Sequence, residues 1–116
     1  MKYYLCGAMT NVPHFNFAAF NAAKLRLEHL GHVVFSPVEQ DLKRYGPSFF
    51  QDNPTGDVAK AQKDFGFSLR EALAESLLWI CNEAEGIAML PKWEKSNGSF
   101  SEWATARALG LKFLYL

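Results

Sequence analysis

Short, almost continuously apolar runs alternate along this chain with longer segments that carry helical periodicity. The runs cover Lys2 to Cys6, His32 to Ser36, Gly86 to Leu90 and Leu111 to Leu116. Runs of this kind are typical of parallel strands, because helices cover both faces of a parallel sheet. The pattern therefore predicts four strands in one parallel sheet.

The segments between the runs carry helix signals. Asn16 is expected to cap a first helix that Gly31 ends, Ser68 with Glu71 forms a capping-box pattern for a second, and Ser99 to Leu109 is expected as the last. The apolar face of the first helix comprises Phe17, Phe20, Ala23, Leu27 and Leu30. The alternation predicts an α/β, doubly wound three-layer fold with about four parallel strands, ordered 2-1-3-4, and helices on both faces.

Residues 40–66 interrupt this alternation. Turn-forming clusters such as Tyr45-Gly-Pro-Ser and Asp52-Asn-Pro-Thr-Gly surround Phe49 and Phe50. An irregular connection of about 25 residues is long for a compact domain. Two interpretations stay open: a lid or interface insertion within a single domain spanning 1–116, and a solvated insertion held by one aromatic plug.

The composition and charge of the chain limit the classes of partner that we expect. Of 116 residues, 49% are apolar, and 12 basic residues balance 12 acidic ones, so neither duplex nucleic acid nor a membrane is an expected partner. No apolar run approaches the length of a membrane span, and no signal peptide precedes the first strand. Cys6 and Cys81 lie in apolar runs and are expected to be buried free thiols. We therefore expect a cytoplasmic protein.

The carboxyl ends of parallel strands converge on one edge of a sheet. Three loops should meet there: Gly7 to Phe15, the segment from Pro37, and Pro91 to Gly98. The first and third strands should flank the topological switch point, where α/β proteins bind ligands. The third loop leads into a helix, whose amide groups favour an anion. The sequence therefore predicts a nucleotide site at this edge.

Several side chains near that edge have two interpretations. Glu102 either completes a capping box with Ser99 or takes part in chemistry. Tyr4 is either a core residue or part of the site. Ser76 either hydrogen-bonds its own helix or faces a pocket.

The remaining candidates are equally open. Asn16 either caps a helix or touches a ligand, and Ser96 and Gly98 are either ordinary loop residues or part of the site. The histidines show no spacing suited to a metal, so no metal is expected. No Gly-x-Gly-x-x-Gly or P-loop motif is present, and no cofactor is expected.

Most of the chain, apart from residues 40–66, resembles the nucleoside 2-deoxyribosyltransferase superfamily. It is closest to a small branch, found in phage and bacterial genomes, that is called DUF4406. The motifs that carry this resemblance are Tyr4-Leu5-Cys6-Gly7-Ala8-Met9, Phe15-Asn16-Phe17-x-x-Phe20, Leu90-Pro91-x-Trp93-Glu94-x-Ser96-x-Gly98 and Glu102. The resemblance implies a flavodoxin-like fold in a protein that is usually oligomeric.

The resemblance also implies roles. Glu102 would be a nucleophile that attacks C1′ of a deoxyribosyl group, and Tyr4 would orient it. Transferases that act on free nucleosides have Asp six residues before this Glu, whereas the 5′-monophosphate N-hydrolases have Ser; this chain has Ser96. A carboxylate would repel a phosphate, whereas a hydroxyl with the amides of Gly98 and Ser99 could bind it.

Three positions depart from the superfamily pattern. Ser76 and Glu85 stand where Asp is usual, and Lys92 stands where Gly is usual. Loss of an acid/base group typically lowers a rate about 10²–10⁴-fold. Either Glu71, Glu75 or Glu85 has taken the role, or the protein binds nucleotides without efficient turnover.

The sequence thus predicts hydrolysis of the N-glycosidic bond of (deoxy)nucleoside 5′-monophosphates, with a homodimer or higher homo-oligomer as the assembly. The alternatives are base exchange between nucleosides and a non-catalytic nucleotide-binding or sensing module. Catalytic roles are expected for Glu102, Tyr4 and Ser76. Substrate contacts, with the aromatic residues walling the base, are expected from Gly7, Ala8, Met9, Phe15, Asn16, Phe17, Trp93, Ser96, Gly98 and Ser99.

Overall fold

The computed structural model describes all 116 residues and is built around one four-stranded sheet. Its strands are β1 (Lys2–Cys6), β2 (Val33–Phe35), β3 (Gly86–Met89) and β4 (Lys112–Tyr115). The strands lie in the order β2-β1-β3-β4, and all three neighbouring pairs are parallel. The predicted strands, their direction and their order are confirmed.

Helices cover both faces of the sheet. They are α1 (Phe17–His29), α2 (Pro37–Tyr45), α3 (Ser48–Gln51), α4 (Val58–Phe65), α5 (Leu69–Asn82) and α6 (Asn97–Ala108), with short 3-10 turns at Pro13–Asn16 and Trp93–Lys95. Residues of α1 to α4 pack in one apolar cluster, and residues of α5 and α6 pack in another. This arrangement is a flavodoxin-like three-layer α/β sandwich, as the sequence predicted.

The central strand β1 contributes to both clusters. Tyr3 and Leu5 belong to the cluster under α1 to α4, whereas Tyr4 and Cys6 belong to the cluster under α5 and α6. Successive side chains of a strand point to opposite faces, so one run of five residues serves both layers. The polar atoms of Tyr4 and Cys6 are thereby buried on the α6 side.

The prediction of an irregular connection over residues 40–66 is wrong, because three helices occupy this region. Ser36 caps α2 by accepting the Glu39 amide, and Asp57 caps α4 by accepting the Lys60 amide. The Gly- and Pro-containing clusters mark the ends of these helices. Phe49 and Phe50 are 1% and 3% exposed, so they belong to the core. A lid or interface role for the segment stays a prediction.

Three smaller expectations are also wrong. The Asn16 side chain does not cap α1; it donates to the Ala8 carbonyl at 3.1 Å. Leu30 follows the end of α1 and is 67% exposed, so it lies outside the buried face. Cys6 is buried as predicted, but Cys81 is exposed. Among the helices, none combines the length and the apolar character that crossing a membrane requires.

Candidate functional site

A cavity of about 480 Å³ opens at the carboxyl edge of the sheet. Its walls come from the loop after β1, the α2–α4 segment, the first half of α5 and the start of α6. The predicted site residues that line it are Gly7, Met9, Phe15, Ser76, Ser96, Gly98, Ser99 and Glu102. Ala8, Asn16, Phe17 and Trp93 do not line it, and Tyr4 lies beneath Glu102.

The Glu102 carboxylate is held at the floor of this cavity by two side chains of β1. Its Oε2 accepts a hydrogen bond from the Tyr4 hydroxyl at 2.7 Å, and its Oε1 accepts one from the Cys6 thiol at 3.4 Å. The residue is 8% exposed. Its carboxylate does not cap the helix, because it is bound to the sheet, so the capping interpretation of Glu102 is wrong. Tyr4 is both a core residue and a partner of this carboxylate.

Burial raises the pKa of Glu102 to about 7, although the hydrogen bonds from Tyr4 and Cys6 oppose the rise. Glu102 lies in the second turn of α6, beyond the reach of most of the helix-terminal field, so desolvation dominates. Burial likewise raises the pKa values of the Tyr4 phenol and the Cys6 thiol, which keeps both as neutral donors. The ionised form of Glu102 therefore becomes dominant only above about pH 7.

The first turn of α6 forms the polar end of the cavity. Ser96, not Ser99, is the N-cap, and its hydroxyl accepts the Ser99 amide at 3.2 Å. The Ser99 amide is therefore occupied, whereas the Asn97 and Gly98 amides make no bond within the chain. The Ser99 hydroxyl is buried without any hydrogen-bond partner, and Lys95 lines the cavity beside it. Two free amides, an unpartnered hydroxyl and a cation suit an anion.

The loop after β1 is fixed tightly beside that turn. A Cβ at Gly7 would lie 2.7 Å from Cδ1 of Leu90, so only glycine allows the end of β1 to pack this closely on the residue after β3. The Asn16 side chain holds the Ala8 carbonyl, and the Asn11 amide donates to the Gly56 carbonyl at 2.9 Å. Asn16 is thus a support of the loop. Gly7 and Met9 contribute directly to the cavity wall.

The aromatic wall of the cavity differs from the predicted one. Phe15 lines it, but Trp93 stacks on Trp103 with ring centres 5.5 Å apart, and Phe17 packs on Phe50 at 4.9 Å. The α3–α4 segment and the residues after it supply much of the apolar wall. The apolar residues that join Phe15 there include Phe49, Val58, Phe67, Leu69 and Leu73.

The structure adds a carboxylate that the sequence analysis missed. Asp41, on α2, lines the cavity and is only 4% exposed. Burial raises the pKa of Asp41 to about 7; the Arg44 charge opposes the rise and the Glu75 charge adds to it. The Ser36-Pro-x-Glu39 pattern is a helix-start signal that could have revealed α2, and with it Asp41.

The three carboxylates that could replace the Asp usual at position 76 are Glu71, Glu75 and Glu85, and they lie in different parts of the structure. Glu75 lines the cavity and pairs with Arg44 at 2.7 Å. Glu71 does not line the cavity, and Glu85 accepts the Lys2 amide at the opposite, amino end of β3. Ser76 is 4% exposed and faces the cavity.

No group of three or more His, Cys, Asp or Glu side chains is arranged to hold a metal ion. The charged groups that line the cavity are Asp41, Arg44, Glu75, Lys95 and Glu102, and serine hydroxyls and helix-start amides lie among them.

The profile of a family described as "Domain of unknown function (DUF4406)" matches residues 1–115. No curated protein and no solved structure matches the chain.

Proposed function

We propose that this chain, which belongs to the DUF4406 family, hydrolyses the N-glycosidic bond of nucleoside 5′-monophosphates and releases the free base. The observation that carries the proposal is the position of Glu102. Its carboxylate is fixed by Tyr4 and Cys6 at the floor of a cavity. The rim of this cavity is a helix start whose free amides would favour an anion. The sequence resemblance to nucleoside 2-deoxyribosyltransferases supports a deoxyribosyl substrate.

In the proposed reaction the phosphate binds at the start of α6, against the Asn97 and Gly98 amides, the Ser99 hydroxyl and Lys95. This places the sugar over Glu102, whose carboxylate attacks C1′ as the bond from C1′ to the base breaks. Water then hydrolyses the glycosyl-enzyme, as in retaining glycosidases. Tyr4 and Cys6 each hold one carboxylate oxygen, so they fix its orientation before attack.

The direct test is to incubate the purified protein with each deoxyribo- and ribonucleoside 5′-monophosphate at pH 7.5–8 and separate the products by chromatography. Free base and sugar 5-phosphate in equal amounts support the proposal. Bound nucleotide without free base would contradict it. Addition of a second base tests exchange, because a transferase would form a new nucleotide from that base.

One observation favours a second candidate, a nucleotide-binding module without turnover. The position where the superfamily usually has Asp carries Ser76, and its hydroxyl faces the cavity. A serine hydroxyl is not an acid at neutral pH. If the protein only binds nucleotides, they would raise its thermal stability, and neither the unaltered protein nor Glu102→Gln would release a base. Glu102→Gln would leave the nucleotide affinity unchanged.

Ser96→Asp is expected to weaken binding of nucleoside monophosphates about 10–100-fold while leaving nucleosides nearly unaffected. Asp still caps a helix well, so α6 should persist, but its carboxylate repels the phosphate. Isothermal titration with a matched nucleotide and nucleoside measures the difference. Ser68→Asp is the matched control, because Ser68 caps α5 in the same way and does not line the cavity. Equal weakening for both ligands would argue against a phosphate at α6.

Self-association and a cytoplasmic location stay predictions from the sequence.

A further inference from the structure

We propose that Asp41 is the general acid and base of the proposed reaction: its carboxyl group protonates the base as it leaves, and its carboxylate then deprotonates the attacking water. This inference depends on the proposed function, and it assigns the missing acid/base role to α2.

The first support is position. Asp41 and Glu102 line the same cavity but come from opposite layers of the sandwich. The helix α2 follows the carboxyl end of β2, and α6 follows that of β3, with β1 between the two strands. A sugar seated over Glu102 with its phosphate at the start of α6 therefore directs its base toward the α2 side of the cavity.

The second support is the absence of a partner. Asp41 is 4% exposed, yet its carboxyl group makes no hydrogen bond, whereas the neighbouring Arg44 donates to Glu75 at 2.7 Å. The Asp41 oxygens are open to the cavity, because the Ser99 hydroxyl is the one fully buried side-chain polar atom that lacks a partner. A ligand in the cavity can therefore supply the partner that the chain does not. A ring nitrogen or carbonyl oxygen of a base would supply the acceptor that a protonated Asp41 lacks.

The charged groups around Asp41 leave it able to carry the proton. Arg44 is paired with Glu75 at 2.7 Å, and the Glu75 charge partly offsets the effect of Arg44 on Asp41. Lys95 and Glu102 are the charged groups on the α6 side of the cavity. Burial outweighs the Arg44 charge and raises the pKa of Asp41 to about 7, so the acid form is well populated at neutral pH.

The other candidates for the role are less suitable. The Glu75 side chain is 37% exposed and already paired with Arg44. Ser76 faces the cavity but offers only a hydroxyl. Asp41 is thus the buried, unpaired carboxyl group that remains once Glu102 is assigned as nucleophile.

The step balances without any other reactant. The Glu102 oxygen forms a bond to C1′, the bond from C1′ to the base nitrogen breaks, its electron pair stays on the base, and the Asp41 proton neutralises that base. Water then attacks C1′, displaces the Glu102 carboxylate and gives one proton to Asp41. Both carboxyl groups return to their starting protonation states.

The test compares leaving groups. A nucleoside monophosphate needs acid assistance, whereas a 4-nitrophenyl deoxyriboside 5-phosphate releases a stable anion and does not. Asp41→Asn is expected to lower base release about 10²–10⁴-fold, whereas nitrophenol release in the first turnover, before water must be deprotonated, changes little. Glu102→Gln should abolish both. Asp52→Asn is the matched control, since Asp52 is exposed and lies outside the cavity.

A pH profile of the unaltered protein gives an independent readout that needs no variant to fold. In the first turnover, base release should fall on the alkaline side as Asp41 ionises, and nitrophenol release should lack that fall. Equal first-turnover losses on both substrates in Asp41→Asn, or identical first-turnover pH profiles, would overturn the role of Asp41 and leave the proposed hydrolysis standing. Failure of the unaltered protein on both substrates would contradict the proposed function and this inference with it.

Discussion

Glu102→Gln is expected to lower base release about 10⁴-fold or more, because an amide cannot replace the carboxylate as a nucleophile. The substitution keeps the shape of the side chain, and the amide oxygen can still accept the Tyr4 hydroxyl that lies 2.7 Å away. Nucleotide affinity should therefore change little. Single-turnover assays at pH 8 measure the loss, and isothermal titration measures the affinity.

The same substitution should stabilise the protein in alkaline solution. The folded Glu102 has a pKa of about 7, whereas its ordinary value is 4.5. The folded state thus binds this proton more tightly than the unfolded state, so stability is lost as pH rises from about 4.5 to 7. The full loss corresponds to about 3 kcal/mol. Gln has no such loss, so the variant should be the more stable protein at pH 8, with no such advantage at pH 4.

Denaturant unfolding at pH 4, 6 and 8 measures this difference in the free energy of unfolding. Asp41 titrates in both proteins and cancels in the comparison. Glu94→Gln is the control, because Glu94 is exposed in the turn before α6 and lies outside the cavity. A stability difference between Glu102→Gln and the unaltered protein that does not grow with pH would show that the Glu102 carboxylate is not desolvated.

The sheet was predictable because strands that are buried on both faces appear in the sequence as short, nearly continuous apolar runs. The residues of β1 and β3 that pair, such as Tyr4 with Ile87, lie in apolar runs that no helix pattern explains. The partnership of Tyr4 with Glu102 was implied by the family resemblance alone; strand alternation adds only that Tyr4 and Cys6 share one face of β1. The Cys6 bond to Glu102 needed the tertiary structure, because an apolar run gives no reason to assign its cysteine a polar partner.

The α2–α4 segment was not predictable by the same rules. Its helices are short, with 9, 4 and 8 residues, and each ends at a Gly or a turn residue. Turn-forming residues thus recur along the segment, and each helix is shorter than the window of about 11–18 residues over which a helical period is recognised. Helices of this length are marginal in isolation and form because packing stabilises them. Here Phe49 stacks between Phe15 and Tyr45, at 5.2 and 4.8 Å. Asp41 was missed for this reason.

The pKa of Glu102 is a second property that the sequence did not predict. Its nearness to a helix start in the sequence indicated a readily ionised carboxylate, but the raised pKa comes from burial between α6 and β1, and depth of burial is a property of the assembled layers. The sequence located the carboxyl group at this edge of the sheet, while the packing determines the pH at which it ionises.

Gly56→Ala is expected to destabilise the protein by about 2–5 kcal/mol. Gly56 has φ +71°, and an added Cβ would lie 2.2 Å from the Val12 carbonyl oxygen and 2.8 Å from the Val12 nitrogen. Left-handed strain accounts for about 1–2 kcal/mol of this loss, and displacement of backbone atoms accounts for the rest. Chemical denaturation measures the change.

Gly66→Ala separates the two causes, because Gly66 has a similar φ of +68° but an added Cβ would meet nothing within 4 Å. Gly66→Ala should therefore lower the free energy of unfolding only by the strain of about 1–2 kcal/mol.

Gly56→Ala should also weaken nucleotide binding, because the backbone amide of Asn11 donates to the Gly56 carbonyl and Asn11 lines the cavity. A larger effect at Gly56 would show that the contact between the α3–α4 connection and the loop after β1 maintains the geometry of the cavity. Equal effects of the two substitutions on stability and binding would show that it does not.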